Sequence, residues 1–221
     1  MSRALVKSIH LALAKVGSAA GEDALSRWLT KDDRLSVKRA DSLLCRALLR
    51  GVLAGATQSA PERWRITKTR AGKPMVVNAD GSKAPSVSIS HSGEWSACAL
   101  SFAGDVGIDI ERMRCDRNLS GIARRAFGPL ECAEVEAEGC VRFYAIWTLR
   151  EAIAKALGTG LAMAADRKDR VAGGTHSGFR QVTLEDDAWQ IMQETLGSGL
   201  SLAVALRGSA EPALQWWPAE P

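Results

Sequence analysis

A mixed α and β chain built as two small lobes is the fold class this sequence predicts. Three observations carry that expectation. Helix-spaced apolar stretches and short alternating strands occur in both halves. A turn at Ala103-Gly104-Asp105 separates the halves, which gives expected domains of 1–104 and 105–221. The chain has 221 residues, 46% of them hydrophobic, enough for a core without covalent staples. No internal sequence repeat is evident, and pattern alone leaves α+β and α/β open.

The elements follow in order. The N-terminus, MSRALVKSIHLALAKVG, has only a short apolar part, broken by His10, and reads as ordinary structure and not as a leader. Residues 22–30 read as a helix. Residues 33–54 read as a longer one, with Leu35, Leu43, Leu44, Ala47, Leu48 and Val52 near helical spacing and Gly51 and Gly55 at its end. A connection over 58–64 leads to short strands at 65–70 and 75–77, separated by the turn Ala71-Gly72-Lys73-Pro74. Ser86 to Ser90 and Trp95 to Phe102 alternate as strands. In Val106 to Glu111, Val106, Ile108 and Ile110 face one way and Gly107, Asp109 and Glu111 the other. Residues 119–127 and 130–137 read as helices. The region 162–178 is loop-rich. Strands are expected at 179–184, 189–195 and 200–206, and the tail 215–221 is expected to pack loosely or to dock on the surface.

Composition removes several classes. No run of about 18 apolar residues occurs, so no membrane span is expected. The net charge is +4, and no tract of five or more like charges suggests a nucleic-acid tail. Cys45, Cys98, Cys115, Cys132 and Cys140 are odd in number and form no CxxC pair, so neither disulfides nor a zinc site are expected, and reduced thiols in a cytoplasmic protein fit best. There is no P-loop, no GxGxxG and no GxSxG elbow.

Four stretches carry candidate chemistry. Phe143 to Leu161 reads as a helix ending at Gly158 or Gly160. Ile146, Leu149, Ile153 and Ala156 form its apolar stripe, while Trp147, Glu151 and Lys155 share the opposite face at i, i+4 and i+8. A surface Glu–Lys pair is the ordinary explanation for such spacing. Asp109 and Glu111 put two carboxylates on one face of a strand, half of an oxygen site for a hard cation, with Glu151 as the third acid; alternatively both acids simply face solvent. Ser90-His91-Ser92 ends a strand, where hydroxyls and a ring N–H suit a phosphate. Lys73 lies in a rigid turn, where lysine is usually only solvated.

These motifs, taken together, resemble the 4′-phosphopantetheinyl transferases of the Sfp type. The resemblance runs through KRADSLLCRALLR (38–50), AGKP (71–74), SISHS (88–92), VGIDIER (106–112), RAFGPLE (125–131) and WTLREAIAKALGTGL (147–161), in the family's order and spacing. It implies an α+β pseudo-dimer of two similar halves, with coenzyme A and Mg²⁺ in a cleft between them. It implies transfer of the phosphopantetheine arm of coenzyme A to a serine of an acyl, polyketide or peptidyl carrier protein, with release of 3′,5′-adenosine diphosphate. Asp109, Glu111 and Glu151 would hold the metal, Lys155 the phosphates, and Glu151 would be the base, with Glu131 a weaker candidate. Lys73, Ser90, His91, Ser42 and the basic residues Lys38, Arg39 and Arg46 would bind the adenylate part. Arg112, Arg114, Arg117, Arg124 and Arg125 form a basic segment suited to an acidic carrier. A monomer that binds neither nucleic acid nor membrane is expected. The sequence departs from the family where Arg150 replaces the usual lysine before the helix glutamate, which points to an electrostatic or structural role, since arginine does not deprotonate. The alternatives are a non-catalytic coenzyme A or nucleotide-binding module, and a metal-dependent phosphohydrolase.

Overall fold

The computed structural model describes residues 8–78, 80–81, 84–159, 176–197 and 199–217. Helices and sheets are mixed throughout, so the fold is α+β. The chain divides into two compact units. Unit 1 holds the residues up to Val106 together with the tail from Pro212, and unit 2 is Gly107–Glu211. The tail therefore groups with unit 1, whereas the sequence reading assigned it to the second half.

Unit 1 is built on a four-stranded sheet of order β10-β1-β5-β4, from β1 (Ser8–Lys15), β4 (Ser86–Ser92), β5 (Trp95–Ser101) and β10 (Ala213–Trp216). Strand β1 pairs antiparallel with β5 and parallel with β10, and β4 and β5 form an antiparallel hairpin. Residues Ile9 to Ala14 are all buried, so β1 lacks the alternation that marks a half-exposed strand. The tail is not loose: the Trp217 N–H donates to Leu11 O at 2.7 Å, and its indole N–H donates to His10 Nδ1 at 3.0 Å. That ring also lies where a Cβ on Gly55 would be, which fixes glycine there. A separate ribbon pairs β2 (Trp64–Lys68) with β3 (Pro74–Asn78).

Helix α1 (Ala19–Trp28) is capped by Ser18. The single helix expected over 33–54 is two helices, α2 (Lys31–Ser36) and α3 (Ala40–Thr57). The break has a local cause. Thr30 and Asp33 form a capping box, which starts a helix at Lys31, and Val37 to Arg39 are non-helical. Asp33 is then buried, held by Arg46 Nη1 at 3.1 Å and by the Arg50 fork. Arg50 also donates to the carbonyls of Pro61 (2.6 Å) and Trp64 (2.8 Å), tying α3 to the 3-10 turn Pro61–Arg63. Leu44, Leu48, Leu49, Val52 and Leu53 of α3 pack with Trp64, Val76, Val87 and Leu100 as the core of this unit.

Unit 2 has a four-stranded sheet of order β6-β9-β8-β7, from β6 (Val106–Arg112), β7 (His176–Leu184), β8 (Asp187–Leu196) and β9 (Leu200–Arg207). Helix α6 (Cys140–Leu157) packs across β9 and β8 through Leu149, Ala152, Ile153 and Ala156, against Trp189, Ile191, Ala203 and Ala205. Helices α4 (Leu119–Ala126) and α5 (Pro129–Glu138) pack with the start of α6 around Phe143, Tyr144 and Ile146. Cys115 and Cys140 form a disulfide, with Cα atoms 5.4 Å apart, which corrects the expectation of reduced thiols alone. The two cysteines are 25 residues apart in sequence and meet because the segment after β6 returns to the first residue of α6. Of the loop-rich region expected over 162–178, residues 162–175 lie outside the described part, as do the last residues, 218–221, while His176 to Gly178 belong to β7, so that part of the expectation is corrected. Among the described residues, no helix is long and apolar enough to cross a membrane.

Candidate active site

Helix α6 is buried along most of its circumference. Between residues 147 and 156, the side chains that are not buried are Trp147, Glu151 and Lys155. The face read from the i, i+4, i+8 spacing is therefore the face that remains accessible. Leu149, Ala152, Ile153 and Ala156 hold it in register against the sheet.

Strand β6 meets α6 at close range. A Cβ on Gly107 would fall 1.8 Å from Ala152 O and 2.7 Å from Ala156 N, so only glycine lets the backbones approach this far. Two residues along the same face, Asp109 Oδ1 accepts from Lys155 Nζ at 2.7 Å. Glu111 is next on that face, half-buried. Burial pushes the Glu151 carboxyl up to about 7, and the negative charges of Asp109 and Glu111 add to the effect against the opposing pull of Lys155. The three acids thus feel one another. A cavity of about 90 Å³ opens beside them, lined by Glu111, Arg117, Ile122, Phe143, Tyr144 and Trp147.

The expected metal set is not preassembled. Among the described residues, no three His, Cys, Asp or Glu side chains are grouped so as to hold an ion. The Lys155 ammonium lies on one oxygen of Asp109, at 2.7 Å. The donor set nevertheless has the chemistry of a hard-cation site, since carboxylate oxygens are what Mg²⁺ takes. A Glu151 carboxyl pushed up by burial and by neighbouring acids is what a bound cation relieves.

Arg150 and Glu131 are elsewhere. Both are buried. The Arg150 fork donates to Glu131 (Nη2 to Oε2, 2.5 Å) and to Ala126 O (3.1 Å), and its guanidinium lies 5.4 Å from the centre of the Phe127 ring. Glu131 also accepts from Gly128 N at 3.1 Å, closing the start of α5. Glu131 is thus a buried capping and pairing residue, which argues against its use as a base. Arg150, for which an electrostatic or structural role was expected, locks α5 to α6 one residue before Glu151.

In unit 1, His91 is exposed at the end of β4, while Ser90, facing the other way, is buried and its carbonyl accepts from Cys45 Sγ. Lys73 is half-buried, and burial lowers its pKa against the pull of Asp105. Arg39 and Lys38 are exposed at the start of α3, and Ser42 Oγ donates to Asp41 Oδ1. Arg46 is committed to Asp33. Sequence reasoning missed Asp41, which accepts from the Arg39 fork at 3.1 and 2.6 Å and lies 3.8 Å from His91 Nδ1. The signal available was the Arg-x-Asp spacing at the head of a helix.

Residues 105–205 match the model of the 4′-phosphopantetheinyl transferase superfamily. With the relatives that follow, this supports the resemblance read from the motifs: the chain is similar to 4′-phosphopantetheinyl transferases. The 4′-phosphopantetheinyl transferase HetI of Nostoc sp. is 29% identical over 121 residues, 53% of this chain and 51% of that protein. The 4′-phosphopantetheinyl transferase Sfp of Bacillus subtilis is 31% identical over 129 residues, 57% of this chain and 55% of that protein. A phosphopantetheinyl transferase of Thraustochytrium sp. is 25% identical over 220 residues, 89% of this chain and 76% of that protein. The match to HetI and Sfp thus spans about half the length of each.

Proposed function

We propose that this chain is a Mg²⁺-dependent transferase that moves the 4′-phosphopantetheine arm of coenzyme A onto a serine of an acyl, polyketide or peptidyl carrier protein. The observation that carries this reading is the side-by-side placement of Asp109 and Lys155, with Glu151 one turn before Lys155 and Glu111 two residues beyond Asp109. The family match covers that same segment.

In this reading Asp109, Glu111 and Glu151 hold the metal. Magnesium, when bound, supplies positive charge to the pyrophosphate oxygens of coenzyme A. Lys155 donates to a phosphate oxygen and neutralises charge that grows as the bridging bond lengthens. Glu151 accepts the proton of the attacking serine. The serine oxygen forms a bond to the β-phosphorus, the bond from that phosphorus to the bridging oxygen breaks, and 3′,5′-adenosine diphosphate leaves with the electron pair. Lys73, Ser90, His91, Lys38, Arg39 and Ser42 serve the adenylate part. Arg46 is largely covered against the buried Asp33, whereas Lys38 and Arg39 are exposed, so the cationic contact falls to Lys38 and Arg39.

The test is intact-mass spectrometry of an apo carrier protein incubated with this chain, coenzyme A and Mg²⁺. A gain of about 340 Da, the mass expected for the transferred arm, supports the reading; no gain on fatty-acid, polyketide and peptide carriers sinks it. The second reading is a non-catalytic coenzyme A or nucleotide-binding module, which would keep His91 and the basic residues of α3 without metal-dependent turnover. Coenzyme A binding without Mg²⁺-dependent turnover would favour it. The basic segment that includes Arg114 and Arg117 is proposed to dock the acidic carrier. Charge reversal at both positions should raise the apparent KM for carrier at low salt and leave it little changed at high salt.

A further inference from the structure

Asp41 is the second residue of α3, after the N-cap Arg39. Its backbone is fixed from below: Ser96 Oγ, fully buried on β5, donates to Asp41 O at 3.1 Å. Ser96 is the cross-strand partner of His91 in the β4–β5 hairpin. The same hairpin therefore sets both Asp41 and His91. The Asp41 carboxylate accepts from Ser42 N (2.6 Å) and Ser42 Oγ (3.2 Å), from Arg39 Nε (3.1 Å) and from Arg39 Nη2 (2.6 Å). His91 Nδ1 lies 3.8 Å from its Oδ2.

The layering matters more than any one contact. The Asp41 side chain is 14% exposed, while Arg39 is 72% and His91 43% exposed. A covered anion thus lies beneath two outward-facing nitrogen-bearing groups. The Arg39 fork holds the carboxyl well down, to about 2, and Ser42 and His91 act in the same direction against its partial burial. Asp41 stays charged wherever the chain is folded at ordinary pH.

We propose that Asp41 is a positioning residue for coenzyme A binding, holding Arg39 and His91 side by side so that their outward nitrogens take one phosphate monoester. The inference rests on the coenzyme A reading above. Two effects of Asp41 oppose each other, and their signs differ. As a bare negative charge it repels a phosphate, so removing it would tighten anion binding by about fivefold. As an organiser it keeps two charge-assisted donors aligned, and losing that alignment weakens binding by about tenfold or more. Alignment wins because the carboxylate is already neutralised by the Arg39 fork, leaving little net field for the ligand to feel.

The experiment is calorimetric titration of 3′,5′-adenosine diphosphate and of adenosine into the full chain and into Asp41→Asn. The expected result is a Kd for the diphosphate about tenfold higher in the variant, an unchanged Kd for adenosine, and a raised KM for coenzyme A at constant kcat. Unchanged or tighter binding of the diphosphate overturns the inference, as does equal weakening for adenosine, which would mean a general structural defect. In a double-mutant cycle with Arg39→Gln, the loss in the double variant should be much smaller than the sum of the two single losses; full additivity overturns it. Should Asp41→Asn fail to fold, Asp41→Glu carries the test, because it keeps the charge and shifts the carboxylate. Weakening in Asp41→Glu supports positioning, and native affinity refutes it. If the unaltered chain binds no diphosphate, the coenzyme A reading itself falls, an outcome distinct from native binding that Asp41→Asn leaves intact.

Discussion

Asp33 in unit 1 and Glu151 in unit 2 are carboxylates in opposite circumstances. Asp33 is buried beneath Arg46 and Arg50 and bonded to Thr30. Burial by itself would raise its pKa, but the Arg50 fork and the Thr30 hydrogen bonds outweigh burial and the net shift is downward. Glu151 is less buried, yet it is pushed up to about 7 by burial and by Asp109 and Glu111. The contrast separates two uses of an acid. An acid saturated by an arginine fork joins elements of the fold. An acid pressed against other acids is held at a cost, and that cost is a mark of a functional site.

Four variants test this contrast. The largest effect is expected from Glu151→Gln, which should lower carrier modification by about 10²-fold to 10³-fold, read by mass spectrometry. The same variant should be more stable than the parent in EDTA at pH 8, by about 1 kcal/mol once solvent screening is allowed for. Glu151 has a folded pKa of about 7 against an ordinary value of 4.5, so the penalty grows as pH rises from the lower value to the higher and is complete above it. The gain should shrink as pH falls toward 5 and vanish below the ordinary value. A stability loss at pH 8 would break the contrast.

Arg50→Met should cost about 3–5 kcal/mol, because it leaves Asp33 buried with half its support gone; a denaturant titration measures it. Gly107→Ala comes next. Its Cβ would meet Ala152 O, a backbone atom, so β6 and α6 must separate, at about 1–3 kcal/mol. Carrier modification should fall along with stability, because the move carries Asp109 away from Lys155. The smallest effect concerns acid. The folded pKa of Asp33 lies below its unfolded value near 3.8, so its stabilisation is present above that pH and is lost as pH falls through the folded value. Asp33→Asn should therefore flatten the stability profile below about pH 4. An unchanged slope would mean that other carboxylates govern acid unfolding.

Much of unit 2 was legible through its polar positions. Helix α6 is buried along most of its circumference and β6 on both faces over 106–110, but Trp147, Glu151 and Lys155 recur at the 3.6-residue repeat and Asp109 and Glu111 at the two-residue one. Strand β1 is also buried on both faces, and its apolar run carries no such polar repeat to mark its period. The division of α2 from α3 was written in Thr30 and Asp33, but the apolar spacing that bridges the break masked it. The Glu131–Arg150 lock and the Cys115–Cys140 bond join residues 19 and 25 positions apart, which no local pattern encodes. Arg150 could be placed by its inability to deprotonate; its partner could not.

The parallel pairing of β10 with β1 also bears on the order in which the molecule matures on the ribosome. Unit 2 is one unbroken segment, Gly107–Glu211, whereas the sheet of unit 1 lacks an edge strand until Ala213–Trp216 has been synthesised. At translation rates of about 5–20 residues per second, β1 emerges roughly 10–40 s before the strand that covers it. During that interval its apolar edge is open to pairing with another nascent chain. The later-made unit is therefore the first that can finish folding, and the first-made strand is the last to be secured.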